Sequence, residues 1–125
     1  MPMSREEFDI IASQKDDALA LMQAARVSML QTNPFYGVLV SGLPLVANWS
    51  WCDTAATDMT HIYYNPEFIM GIHPDRLKAI KERLDKSNKT PQEKQEFLDR
   101  TLTFYAKKSI KDVIFIIMHE LRHIT

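Results

Sequence analysis

Two histidines four residues apart, with a glutamate directly after the first, make up His119-Glu120-Leu121-Arg122-His123 near the C-terminus of this 125-residue chain. On an α-helix, residues four apart are separated by about 40° of rotation and about 6 Å of rise. Both imidazoles can then offer a nitrogen to one zinc ion, and Glu120 falls on the flank of the same face. A carboxylate placed there can take a proton from water that the ion acidifies to a pKa of roughly 7. The pattern therefore encodes two metal ligands, His119 and His123, and one general base, Glu120, of a zinc-dependent hydrolase. With four histidines and seven glutamates in the chain, chance alone gives this pattern in about 1 of 150 such sequences. The competing reading is two ordinary histidines on a helix surface.

The spacing does this chemistry only on a helix. Val113 to Met118 is a β-branched apolar run compatible with a buried strand as well. Its flanks favour helix: Ser109 followed by Asp112 gives an N-cap and a first-turn carboxylate, and Ile110, Ile114, Ile117 and Leu121 recur at helical spacing. That stripe lies roughly opposite His119 and His123 on a helical wheel, so one face is expected in the core and the other on a site.

The remaining sequence predicts an α+β domain. Hydrophobic residues make up 46% of the chain, enough for a core. Fifteen basic and 16 acidic residues leave a net charge of −1, which favours neither nucleic acid nor an anionic membrane as a partner. Cys52 is the single cysteine, which excludes an internal disulfide and fits a reducing, cytoplasmic setting. The N-terminus lacks the basic region and apolar core of a signal peptide, and no apolar stretch reaches membrane-spanning length. Export without a signal peptide remains compatible with these features.

Ser4 to Gln31 reads as a long first helix opened by the capping box Ser4-Arg5-Glu6-Glu7, with a break near Gln14–Asp17 allowed by the pattern. Asn33-Pro34 ends it. Tyr36–Val40 and Leu43–Ala47 read as short strands, the second interrupted by Pro44 and suited to an edge or loop. Thr54–Thr57 and His61–Tyr64 read as a hairpin around Asp58-Met59-Thr60, so a small, mostly antiparallel sheet is expected. It either covers the helices or offers an edge to an extended peptide. Arg76–Asp85 and Pro91–Lys107 read as charged amphipathic helices, the second with Thr90-Pro91-Gln92-Glu93 as its start.

Five segments occur in the order of a known family: Asn33-Pro34-Phe35-Tyr36-Gly37, Leu43-Pro44-Leu45-Val46, Thr54-Ala55-Ala56-Thr57-Asp58, Ile62-Tyr63-Tyr64-Asn65-Pro66-Glu67-Phe68, and His119 to His123. The chain resembles bacterial and phage metallopeptidase-like domains of the kind that precede a von Willebrand factor A-like module. The resemblance spans roughly residues 20–70 plus the last helix. It implies a zincin-like fold, one zinc ion on His119 and His123, Glu120 as base, and peptide hydrolysis. Against that pattern, residues 76–108 read as a helical insertion, and no third protein ligand is identifiable before the sequence ends.

A single domain truncated at its C-terminus is therefore expected, with zinc bound weakly and peptide cleavage poor or absent. Fraying toward Thr125 is expected to loosen His123. The alternative function is a zincin-fold interaction module without turnover, docking a protein partner through residues 76–108. His61 and His73 read as ordinary polar residues, Asp58 as a turn residue, and Glu67 as a first-turn helix acid. Trp49, Trp51 and Cys52 fit either a pocket lining or loop packing.

Overall fold

A computed structural model describes residues 3–123. Ser4 starts the first helix with the expected reciprocal cap: its hydroxyl accepts the Glu7 N–H, and the Glu7 carboxylate accepts the Ser4 N–H. The long N-terminal helix is two helices, α1 (Arg5–Ser13) and α2 (Lys15–Thr32), divided at Gln14. There the side-chain amide turns away to donate to the Gly71 carbonyl at 2.9 Å. Ala18, Met22, Ala25 and Met29 of α2 are fully buried and form the axis of the core.

The segment expected as a first strand, Tyr36–Val40, is instead helix α3 (Pro34–Ser41). Two local features explain the difference. Pro34 occupies the first helical position, where its fixed φ suits a helix and its missing N–H costs nothing. Gly37 lets the backbones of α2 and α3 touch, since a Cβ there would lie 2.6 Å from Leu30 backbone atoms. Period-2 and period-3.6 patterns are indistinguishable in a run this short and this apolar.

Three short strands follow: β1 (Leu45–Ala47), β2 (Ala55–Thr57) and β3 (Ile62–Tyr64). The sheet order is β1-β3-β2, with β1 parallel and β2 antiparallel to β3. The sheet is thus mixed rather than mostly antiparallel, and β2 lies at an edge. The hairpin turn is held by Asp58, whose carboxylate accepts from Thr60 N, Thr60 Oγ1, His61 N and the Tyr63 hydroxyl. Those bonds, with the Thr60 side chain first, hold the Asp58 carboxyl well below its ordinary value.

Asn65 then caps α4 (Pro66–Met70), accepting from Glu67 N and Phe68 N and donating to the Cys52 carbonyl. Gly71 ends α4 at φ 88°, a conformation that side chains rarely adopt. The charged segment forms α5 (Pro74–Asp85) and α6 (Pro91–Phe104), both with proline in the first turn. On α5 Leu84 is buried while Leu77 and Ile80 are half-buried, and no residue of α6 is buried. Helix α7 (Ile110–Arg122) completes the described fold, packed on α2 and β2. The expected fraying at Thr125 lies outside the described residues.

A buried ionic cluster joins three of these helices. Glu7 on α1 is paired with Arg76 and Arg83 on α5, and Arg76 Nε approaches Glu67 Oε2 on α4 at 3.1 Å, without hydrogen-bond alignment. Two carboxylates face two guanidinium groups, so the cluster is neutral. Burial raises the Glu67 carboxyl, and Glu7 adds to the rise while Arg76 opposes it. At Glu7, burial acts in the same direction but is outweighed by Arg76, the Ser4 N–H and Arg83, which hold the carboxyl below its ordinary value of 4.5.

Because Glu7 titrates lower in the folded protein than in the unfolded chain, its contribution is complete above 4.5 and is lost as pH falls through the folded pKa. Glu7→Gln leaves Arg76 and Arg83 under-paired and is expected to cost roughly 3 kcal/mol at pH 7, the low end for breaking a buried pair, since Arg83 is partly exposed. Urea unfolding at a series of pH values checks this. The gap between the wild type and Glu7→Gln should narrow below pH 4.5; a gap that does not change with pH would contradict the assignment.

Candidate metal centre

Helix α7 begins with a second reciprocal cap: Ser109 Oγ accepts the Asp112 N–H at 3.1 Å and an Asp112 carboxylate oxygen accepts the Ser109 N–H at 3.0 Å. These bonds, the backbone one first, lower the Asp112 carboxyl from its ordinary value. The helical alternative for the apolar run is therefore the one adopted.

The buried seam of α7 is Val113, Ile117 and Leu121. Ile117 and Leu121 belong to the expected stripe, but Ile110 is exposed, Ile114 is half-buried, and Val113 takes the first place. An i, i+4, i+8 row is inclined to the helix axis, and such rows are the ridges by which one helix crosses another. Each of the three side chains contributes about 1.5–3 kcal/mol through burial. With that seam in the core, His119 and His123 are left exposed and Glu120 half-buried on the flank nearest β2.

The two imidazoles converge. His119 Nε2 and His123 Nε2 are 3.3 Å apart, with ring planes at 89°. Two nitrogens bound at about 2.0–2.1 Å to a tetrahedral zinc ion are separated by about 3.3–3.4 Å. The pair therefore already has the separation of one edge of a zinc tetrahedron, and the donor set fits that ion. The ligand atoms of His119, Glu120 and His123 all lie within 4.8 Å of one another. Phe115, one turn earlier, stacks along His119 at a ring distance of 6.4 Å and an interplanar angle of 14°.

Glu120 lines a narrow cleft together with Ala55, Ala56 and Thr57 of β2. It also acts on Cys52: burial raises that thiol, and the Asp53 and Glu120 carboxylates raise it further against a Thr54 backbone hydrogen bond. Cys52 is thereby kept as a protonated thiol, unsuited to act as a thiolate ligand.

The other candidate residues lie elsewhere. His73 caps α5, its Nδ1 accepting the Asp75 N–H. His61 contacts Thr60 in the hairpin and Asp58 lies in the same turn, so neither joins the pair on α7. Trp49 packs on Phe8, and Trp51 packs edge-on to Tyr63 while remaining exposed. Glu67 is a first-turn acid, as its position predicts, but its near-complete burial against Arg76 had no signal in local sequence. The stack of Phe115 on His119 was foreshadowed only by their spacing of four.

One protein family, described as a putative metallopeptidase domain, matches residues 19–81, just over half of the chain. The chain belongs to this family. The matched residues run from α2 through the sheet and α4 into α5, and α7 lies outside them. No curated protein and no solved structure matches the chain. No helix among the described residues is long and apolar enough to cross a membrane.

The division of α7 into a buried seam and an exposed site is open to measurement. Ile117→Ala should cost about 2–5 kcal/mol in urea unfolding, whereas His119→Ala should change stability by no more than about 0.5 kcal/mol without metal. Equal losses would place His119 among the residues that hold the fold.

Proposed function

We propose that this member of the metallopeptidase-domain family is a zincin-like, zinc-dependent peptide hydrolase centred on α7. The observation that carries the reading is the 3.3 Å separation of His119 Nε2 and His123 Nε2, beside Glu120 and the edge strand β2. The two histidines would hold the ion. Zinc bound there supplies Lewis-acid activation of water and of a carbonyl group.

Glu120 is the base in this scheme. It stands on the flank of the histidine pair, where its carboxylate can accept the proton of the attacking water and later deliver it to the leaving amine. Its position beside β2 also suggests the path of the substrate. An extended peptide can pair with the outer backbone edge of that strand, which is not taken by β3. The scissile bond would then lie between the strand and the exposed face of α7.

Zinc content after purification without chelator separates the roles. The wild type should carry zinc that His119→Ala loses, and equal zinc in both proteins would overturn the ligand assignment. Glu120→Gln should keep the metal and lower peptide cleavage by about 10²–10⁴-fold. Undiminished cleavage by Glu120→Gln would remove Glu120 from the role of base.

A further inference from the structure

Helix α3 buries Gly37 and Val40, rests Tyr36 half-buried against the core, and turns Phe35, Val38 and Leu39 outward. Phe35 is 75% exposed and Val38 68%, and Leu39 continues the same i, i+3, i+4 stripe. Leu30, whose backbone Gly37 touches, and Val27 one turn before it are also exposed on α2. From Val27 to Cys52 the chain carries no Asp, Glu, Lys or Arg, although a quarter of all its residues are of these types. The outward face of α3 thus has neither a core to cover it nor a charge to keep it hydrated.

We infer that this face is where two copies of the chain associate, α3 packing on α3 about a two-fold axis. Charge is compatible with that occupant. A two-fold axis sets the patch against itself, residue i of one copy meeting residue j of the other, so a patch without charges complements its own copy with no like charges on the axis and no ion pairs to arrange off it. A partner selected by charge complementarity would find nothing on this surface to read. The whole-chain charge of −1 adds little repulsion between copies.

Area agrees with this choice. The five side chains present on the order of 500 Å² per copy, within the range where apolar patches mark contacts. Covering all of it on both copies buries about 1,000 Å² in total, the lower bound for a specific interface. The stripe on α3 supplies a short ridge of one aromatic and two aliphatic side chains, with Val38 at its centre. Ridges of this kind interdigitate between helices.

Sedimentation equilibrium from about 10 μM to about 1 mM tests the inference, because that range spans the affinity expected of an interface this small. The average mass should rise from 14.5 kDa toward twice that value. It should be insensitive to added sodium chloride, as an uncharged contact requires. Phe35→Lys and Val38→Lys replace exposed side chains and should keep the circular dichroism of the wild type. Each should weaken association at least about 10-fold by setting like charges across the axis. Leu102→Lys, an equally solvent-facing change on α6, should leave association unaltered. A monomeric mass over the whole range would overturn the inference, as would a dimer that survives both α3 substitutions. Binding of a monomer to uncharged lipid vesicles through Phe35 would also overturn it, with a membrane as the occupant.

Discussion

Helix α7 can bury only one face, and the choice of that face governs everything the site can do. Val113, Ile117 and Leu121 enter the core against α2 and β2. A helix turns 100° per residue, so fixing those three positions also fixes the direction of His119, Glu120 and His123. The histidines emerge on the open side, and the glutamate stands between them and the edge strand. His119 and Glu120 lie within the helix, and His123 is its C-cap, with its backbone still in the helical region. The rigidity of the arrangement comes from about three buried aliphatic groups and one reciprocal cap, which are ordinary sources of stability.

The support for α7 is itself assembled from two directions. Helix α2 supplies the apolar surface, and the sheet supplies the wall opposite Glu120. The ionic cluster of Glu7, Glu67, Arg76 and Arg83 ties α1, α4 and α5 together on another part of the molecule. Such a cluster is costly to assemble in a poorly hydrated interior, and once it is assembled the removal of one partner leaves a buried charge under-paired. The histidine pair of α7 and the ionic cluster treat their polar groups in opposite ways. The cluster neutralises its charges internally, whereas the exposed pair of imidazoles leaves its nitrogens directed toward a common point.

Much of this was legible in the sequence wherever the signal was local. Ser4, Thr90 and Ser109 each announce a helix with a partner carboxylate three residues on, and all three helices start there. The hairpin around Asp58 is legible for the same reason: one side chain bonds the backbone of its own turn. The His119 and His123 spacing required only that the segment be helical. Non-local choices were not legible. Pairing of β1 with β3 in parallel depends on a connection through β2, and a three-residue strand carries no mark of its neighbour's direction. Tyr36–Val40 has the composition of a strand, and its helical state follows from Pro34 and the close contact of Gly37 with α2. The selection of Val113 over Ile110 for the seam depends on how α7 crosses α2, which periodicity on a single helix does not encode.

The central claim is that the two imidazoles of α7 form one metal site. Nitrogen-detected NMR of the histidine side chains during titration with zinc tests it most directly, because the four histidines are few enough to assign individually. For a single shared site the Nε2 resonances of His119 and His123 should shift together and saturate at one zinc per chain, while those of His61 and His73 stay in place. Independent shifts of the two α7 histidines, or a response led by His61 or His73, would contradict it.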